Sequence, residues 1–134
     1  MEITNQALID RAAAVVKAKH IGTYLVGDVG CALVTESGAI YTGVCIDVTY
    51  GIGFCAKHSA IAAMVTAGEY TIKKIVAVWK DEAGAVFVIP PCGRCREFIR
   101  QIQNGALDTE VILAKDNVET LAALIPYSGK FQKV

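Results

Sequence analysis

The sequence predicts a three-layer α/β/α sandwich with a mixed five-stranded sheet. Segments with helical periodicity alternate with short apolar segments that have strand character, in the order helix, hairpin, helix, strand, helix, strand, helix. Such alternation is typical of α/β domains in which helices cover the faces of a sheet. The chain has 134 residues, of which 54% are hydrophobic and 19% are charged. This length and composition suit a single domain over residues 1–134.

The first half of the chain predicts two helices on either side of a β-hairpin. Residues 4–19 form a helix that Thr4 caps, with apolar residues recurring near one face. Residues 30–46 form two strands around a turn at 36–38. Residues 55–68 form the second helix. Two of the five expected strands therefore come from the hairpin.

The second half predicts three further strands and two helices. Residues 73–80 read as a buried strand, and residues 85–89 form a strand that two prolines end. Residues 92–102 form a short helix, residues 110–114 a strand, and residues 118–125 a last helix.

The charge and hydropathy pattern excludes several classes of partner. Thirteen basic residues balance thirteen acidic ones, whereas binding to a nucleic-acid backbone depends on a basic surface. This balance predicts no nucleic-acid partner. No apolar run approaches the roughly eighteen residues of a membrane span, and the N-terminal segment lacks the basic start of a signal peptide. We expect a cytoplasmic protein that binds no membrane.

Three of the five cysteines stand where helices are predicted to begin. Cys92 and Cys95 form a C-x-x-C pair behind two prolines, and Cys55 opens the helix 55–68. Helix starts favour thiolates, because free N–H groups and the positive end of the helix dipole lie there. Three protein ligands with one open position are typical of a catalytic zinc site. The pattern therefore predicts a zinc ion bound by these cysteines.

Other interpretations of the cysteines follow from the same residues. A thioredoxin-like redox pair also uses C-x-x-C, although that motif usually follows a first strand. The three cysteines are also explained, less well, as buried thiols without a ligand. Cys31 and Cys45 lie in strand patterns, and we interpret both as small core residues.

Two segments, "TGVCIDVTYGIGFCAKHSAI" at 42–61 and "PPCGRCREFI" at 90–99, resemble the cytidine deaminase family, including its blasticidin S deaminase relatives. The resemblance extends from residue 29 to residue 131. The zinc deaminases have a P-C-x-x-C motif and a catalytic Glu. The resemblance implies zinc held by Cys55, Cys92 and Cys95, and hydrolytic removal of an exocyclic amine from a pyrimidine-like ring. It also implies a homotetramer in which Tyr127 and Phe131 reach a neighbouring site.

The chain departs from this family at its proton-transfer residue. The family has a Glu two residues after its first cysteine, beside Ala56 in the substrate site, whereas this chain has Lys57. An anionic zinc–thiolate cluster favours the ammonium form of a lysine, which cannot act as a base. We therefore expect an inactive or severely impaired chain, either a natural pseudoenzyme that binds zinc and a nucleoside-like ligand or an enzyme with an introduced change. His58 points about 100° away around the helix, and we interpret it as a surface or interface residue.

A second departure lies at the sugar end of the site. Cytidine deaminases bind ribose with Asn-x-Glu after the second strand, and the matching residues here are Cys45-Ile46-Asp47. Asp47 can accept a hydrogen bond from a hydroxyl, but Cys45 cannot replace an amide. Arg94 in "PCGRCR" resembles the blasticidin S deaminase pattern, and Tyr50 either lines the pocket or packs on the protein. The expected substrate is therefore a cytidine-like or modified nucleoside, a nucleoside antibiotic or a free heterocycle.

Overall fold

A seven-stranded mixed sheet lies at the centre of the protein, for which a computed structural model describes residues 2–129 and 131–134. The strands are β1 (Lys19–Ile21), β2 (Tyr24–Thr35), β3 (Ile40–Ile46), β4 (Ile72–Lys80), β5 (Val86–Ile89), β6 (Glu110–Ala114) and β7 (Asn117–Thr120). In one path across the sheet the strand order is β1-β2-β4-β6-β7, with β3 also paired to β2 and β5 also paired to β4. The β4–β6 pair is parallel, and the other pairs are antiparallel.

Among the described residues, four helices flank the sheet: α1 (Asn5–Ala14), α2 (Ala56–Thr66), α3 (Gly93–Ile102) and α4 (Leu121–Leu124). The predicted cap of α1 is confirmed, because Thr4 Oγ1 accepts a hydrogen bond from the Ala7 N–H at 3.1 Å. In the described part of the chain, no helix has both the length and the apolar character that crossing a membrane requires.

The strand count of five was wrong, and the two additional strands are β1 and β7. The first helix ends at Ala14 rather than at residue 19, which frees Lys19–Ile21 to pair with the start of β2 across a turn where Gly22 adopts φ 61°. At the other end, only Leu121–Leu124 of the predicted helix 118–125 is helical. Asn117–Thr120 instead pairs with β6, and the Thr120 side chain caps the short helix that follows.

The three-layer arrangement is confirmed by how the central strands divide their side chains. Cys31 and Leu33 of β2 belong to a buried cluster with α2 and α3. Ala32 and Val34, which alternate with them, belong to a second cluster with α1. Successive strand residues point to opposite faces, so the sheet buries one face under α1 and the other under α2 and α3.

Close contact between β3 and α2 fixes the helix that carries Cys55. A Cβ atom added at Gly43 would lie 2.5 Å from the Ala60 backbone nitrogen, a distance that real side chains do not reach. The Ser59 hydroxyl also donates a hydrogen bond to the Val44 carbonyl at 2.7 Å. The absence of a side chain at Gly43 thus lets the N-terminal half of α2 lie directly on the sheet.

Candidate zinc and ligand site

Two helix N-termini bring the three predicted cysteines to one place. Cys55 is the N-cap residue of α2, and Cys92 is the N-cap residue of α3, with Cys95 in the first turn. Neither N-cap side chain makes a capping hydrogen bond. Their sulfur atoms are therefore available to a ligand, while the free N–H groups of each helix start favour negative charge.

The closest sulfur pair joins the two helices. Cys55 Sγ lies 3.0 Å from Cys95 Sγ and 2.9 Å from His58 Nδ1. The donor atoms of these three residues all lie within 4.8 Å of one another. Cys92 is exposed and falls outside that tight group, but its side chain lines the same cavity.

The hydrogen bond between the two paired thiols shifts their pKa values in opposite directions. A hydrogen bond from Cys95 lowers the pKa of the Cys55 thiol to about 4, and His58 adds to that effect. The same hydrogen bond, together with burial, raises the pKa of the Cys95 thiol. At Cys92, the backbone N–H of Cys95 lowers the thiol pKa. A lowered thiol pKa favours the thiolate, which is the form of cysteine that binds a metal ion.

This donor set fits Zn²⁺. Zinc binds thiolate sulfur and imidazole nitrogen in tetrahedral sites, and a catalytic zinc keeps one position open. Two uncapped N-cap thiols, the buried Cys95 thiol and the neighbouring His58 ring supply four such donors. Three of them are sufficient to hold the ion and leave a position open to the cavity.

A cavity of about 430 Å³ opens beside the cysteines. This volume lies within the usual range for small-molecule sites, which is roughly 300–1,000 Å³. All three cysteines line it, as do Ala56 and Arg94. A separate cavity of about 470 Å³ near Glu36 and Lys73 is lined by no cysteine or histidine and lacks the donors for this chemistry. The other lining residues of the 430 Å³ cavity are Val29, Cys45, Asp47, Val48, Gly51, Gly53, Phe54, Lys57, His58, Ala77, Ile89 and Pro90.

Lys57 lies in the first turn of α2 and lines this cavity, although it is only 5% exposed. Within residues 2–129 and 131–134, its ammonium group has no ion pair and no side-chain hydrogen bond. The Nζ atom is not among the fully buried, unpartnered side-chain atoms of the described residues. The cavity thus contains a donor-only side chain together with the cysteines.

His58 was interpreted as a surface or interface residue, but its Nδ1 lies 2.9 Å from Cys55 Sγ and its side chain lines the cavity. Its ring is half-buried and stacks on Phe98, with ring centroids 4.3 Å apart and planes within 6°. His58 points about 100° around the helix from Lys57. Three residues after the N-cap, however, a side chain turns back towards that cap, which brings Nδ1 to Cys55 Sγ.

A second cluster of polar side chains, which we name the acidic cluster, consists of Asp28, Cys45 and Asp47. Their donor atoms lie within 4.8 Å of one another. Cys45 is only 3% exposed, and its thiol donates a hydrogen bond to Asp28 Oδ1 at 3.1 Å. Burial, and then this bond, raises the pKa of the Cys45 thiol. Cys45 is thus a buried residue, as predicted, but it also lines the cavity.

Asp28 was missed in the sequence. It stands in β2 just before the segment that was predicted as a strand, next to Gly27 with φ 78°. The pairing of β2 with β3 shifts between Val26 and Gly30, which places Asp28 beside Cys45. The sequence signal that could have identified Asp28 was a charged residue within an apolar strand.

The aromatic residues assigned to the substrate site lie elsewhere in this single chain. Tyr50 is 95% exposed, and Tyr127 and Phe131 are fully exposed. None of the three is among the residues that line the cavity. Cys31 is fully buried in the core beneath α2, as expected.

The chain is similar to known proteins over most of its length. The family model for the "Cytidine and deoxycytidylate deaminase zinc-binding region" matches residues 3–110, a range that includes all three cysteines. A cytidine deaminase from Sporosarcina psychrophila is 36% identical over 108 residues, which are 78% of this chain and 75% of that protein. A blasticidin-S deaminase from Bacillus cereus is 38% identical over 76 residues, which are 53% of this chain and 54% of that protein.

Solved structures agree as well. The cytidine deaminase from Burkholderia pseudomallei superposes with a TM-score of 0.75 at 26% identity, covering 95% of this chain and 100% of that one. The cytidine deaminase from Mycobacterium leprae superposes with a TM-score of 0.74 at 26% identity, covering 93% of this chain and 99% of that one. The agreement extends over nearly the whole fold.

Proposed function

The chain belongs to the cytidine deaminase family of zinc-dependent hydrolytic enzymes, and from this premise we propose how its own residues work. Cys55, Cys92 and Cys95 hold one zinc ion, and the adjoining cavity receives a cytidine-like nucleoside or a related amine-bearing heterocycle. The observation that carries the proposal is that three cysteines from two helix starts line one cavity of ligand size.

When bound, zinc supplies an activated water for attack on a carbon that bears an amine. The residues of this chain stabilise the cysteine ligands and make room for the substrate. The N-termini of α2 and α3 stabilise the thiolates, and His58 Nδ1 lies against the Cys55 sulfur, where its N–H can reduce the negative charge. Ala56, buried between Cys55 and Lys57, leaves room for a flat ring.

Lys57 determines whether the site turns over. Hydrolysis of an amine needs a group that takes a proton from water and returns protons to the ring and the leaving amine. A lysine ammonium has three donors and no acceptor, so it can hold a ligand but cannot begin this proton transfer. We propose that the chain binds its ligand and is inactive or severely impaired in deamination.

Two further functions rest on specific observations. A non-catalytic binding protein is favoured by Lys57, which lines the cavity and has no acceptor for a proton in its ammonium form. A deaminase of blasticidin S-type nucleoside antibiotics is favoured by the Bacillus cereus relative and by Arg94, which lines the cavity. Activity of a variant with a carboxylate at residue 57 on such an antibiotic distinguishes the two functions, because only the antibiotic deaminase predicts that activity.

Zinc analysis combined with calorimetry tests the proposal on the chain as it stands. We expect about one zinc per chain and saturable binding of cytidine by the zinc-loaded protein. A chain stripped of zinc by a chelator should bind cytidine more weakly, because the open zinc position contacts the ligand's reactive end. Protein without zinc after purification in zinc-supplemented buffer, or zinc-loaded protein that binds neither cytidine nor blasticidin S, would contradict the proposal.

A further inference from the structure

The segment that leads from β5 into Cys92 has few hydrogen-bonding groups of its own. Strand β5 ends at Ile89, and Pro90 and Pro91 follow it directly. A proline has no backbone N–H, so neither residue can donate to a neighbouring strand. Pro91 is buried, and a buried backbone carbonyl needs a hydrogen-bond donor. The direction in which the chain enters Cys92 therefore depends on the group that binds the Pro91 carbonyl.

Arg96 supplies that donor. Its side-chain Nε donates a hydrogen bond to the Pro91 carbonyl at 2.9 Å, and its backbone N–H donates to the Cys92 carbonyl at 3.0 Å. These two carbonyls belong to the peptide groups on either side of Cys92. Arg96 thus holds both peptide groups, and together they fix the direction in which the Cys92 side chain leaves the backbone.

The other side of the Arg96 guanidinium is anchored to α4. Nη1 donates to the carbonyl of Leu124 at 2.9 Å, and the last carbonyls of a helix have no partner within the helix. Helix α4 is itself held in place, because Leu121 is fully buried and its N–H donates to the Thr109 carbonyl at 2.8 Å. The guanidinium therefore joins the cysteine segment to a fixed element of the fold.

We propose that Arg96 positions Cys92 for zinc binding. This inference rests on the proposed function, because it takes Cys92 as a zinc ligand. Cys92 is exposed and lies outside the tight group that Cys55, His58 and Cys95 form, so packing supports it less than the other two cysteines. The planar guanidinium presents separate nitrogens to two carbonyls in fixed directions, whereas a lysine has a single nitrogen.

Cobalt substitution tests the inference on the full chain. Co²⁺ occupies tetrahedral zinc sites, and the intensity of its sulfur-to-metal absorption rises with the number of sulfur ligands. At saturating Co²⁺, Arg96→Met should lower this absorption by about one third, as three sulfur ligands become two. Its zinc affinity should fall roughly 10–100-fold, as is usual when a group that orients a metal ligand is removed.

Arg100→Met is the matched control for this variant. It also removes an arginine from α3, but the Arg100 Nε donates to Glu97 in the same helix at 2.8 Å. Cobalt absorption and zinc affinity of Arg100→Met should equal those of the parent chain. The comparison separates the position of Cys92 from a general effect of losing an arginine from this helix.

Alkylation identifies the ligand that is lost, because zinc-bound thiolates react slowly with iodoacetamide. Peptide mass spectrometry of zinc-loaded Arg96→Met should find the label on Cys92, with Cys55 and Cys95 protected. Arg96→Lys should give the same pattern, and it decides the question if Arg96→Met does not fold.

The remaining outcomes contradict the inference. Arg96 variants with the absorption and labelling of the parent chain would overturn it alone. Exposure of all three cysteines to the label, or failure of both Arg96 variants to fold, would give Arg96 a general role in stability and would also overturn it. A parent chain that binds no metal, or that shows two sulfur ligands, would contradict the proposed function itself.

Discussion

The Cys55 and Cys95 sulfur atoms lie 3.0 Å apart although forty residues separate them in the chain. The sheet produces this proximity, because α2 and α3 pack on the same face and both begin beside the cavity. The hydrogen bond between them lowers the pKa of the Cys55 thiol, whereas that bond and burial raise the pKa of the Cys95 thiol. The fold thus brings together two potential metal-ligand sulfur atoms from different helices.

Removal of a cysteine should remove the metal. Cys55→Ser and Cys95→Ser replace a zinc ligand with a much weaker one, so we expect zinc content to fall from about one per chain to near zero. Zinc binding stabilises only the folded state, so both variants should also lose the rise in melting temperature that zinc gives. Elemental analysis and thermal unfolding measure the two effects.

Cys31→Ala is the matched control for the cysteine variants, because Cys31 is fully buried in the core. It should cost about 1 kcal/mol of stability through lost packing but retain zinc.

His58→Ala tests whether His58 or Cys92 is the third zinc ligand beside Cys55 and Cys95. If His58 only supports Cys55, the His58→Ala variant keeps its zinc. A His58→Ala variant that loses zinc, together with a Cys92→Ser variant that keeps it, would contradict the three-cysteine assignment.

A side chain at residue 43 should displace α2. Gly43→Ala places a Cβ 2.5 Å from the Ala60 nitrogen, and backbone cannot move away as a flexible side chain can. We expect a loss of about 1–3 kcal/mol in the free energy of unfolding, together with weaker zinc binding, because Cys55 moves with the helix.

Gly93→Ala provides the control, since a Cβ at Gly93 meets nothing within 4 Å and this residue opens α3. That variant should be neutral or slightly more stable. Equal stability and equal zinc affinity of Gly43→Ala and Gly93→Ala in urea unfolding and zinc titration would show that the β3–α2 contact does not position the site.

Stability at acidic pH should depend on Glu69, which follows α2 and joins it to the β2–β3 hairpin. The hydroxyls of Ser37 and Tyr41 each donate to its carboxylate at 2.6 Å, and these bonds lower the Glu69 pKa below 4.5. The folded state therefore favours the ionised form. Its contribution to stability is present above pH 4.5 and is lost as pH falls through the lowered pKa.

Glu69→Gln tests this linkage. The difference in unfolding free energy between the parent chain and Glu69→Gln should be largest near neutral pH and should shrink as pH falls below 4.5. Acid also releases zinc, but that effect is common to both proteins and cancels in the difference. A difference that stays constant from pH 7 to pH 3 would show that the Ser37 and Tyr41 bonds do not favour the carboxylate.

Much of the fold follows from local patterns. The strand predicted at 110–114 has those bounds, and the helices predicted at 55–68 and 92–102 begin within one residue of where they form. Each of these segments has a clear apolar pattern and a distinct start or stop residue. The short strands β1 and β7 were not predictable in this way, because three or four residues form a strand only when a neighbour is available for pairing.

The site, like the fold, was predictable only in part. The sequence shows the cysteines directly, because spacing and positions at helix starts mark Cys55, Cys92 and Cys95. Asp28 joins Cys45 only through the irregular register of β2 and β3, and register is a property of the assembled sheet.

Oligomerisation should involve the exposed aromatic residues outside the cavity. Tyr127 and Phe131 are fully exposed near the C-terminus, and exposed large aromatics often mark protein–protein contacts. We expect a homotetramer at micromolar concentration by multi-angle light scattering. Tyr127→Ala with Phe131→Ala should weaken it, whereas Tyr70→Ala, an exposed aromatic on another segment, should not. A monomeric parent chain would contradict both the assembly and these roles.

We expect Lys57 to be the residue that prevents deamination by this chain, and ammonia release by Lys57→Glu tests this expectation. The substrates are cytidine and blasticidin S, with Lys115→Glu as a control for added negative charge on the surface. On at least one substrate, Lys57→Glu should be faster than the parent chain by at least about a hundredfold, since proton transfer contributes on the order of 10²–10⁴ in rate. Zinc content should be unchanged. If the parent chain and Lys57→Glu release ammonia at the same rate from every substrate while both hold zinc, Lys57 does not control the chemistry and the account is wrong.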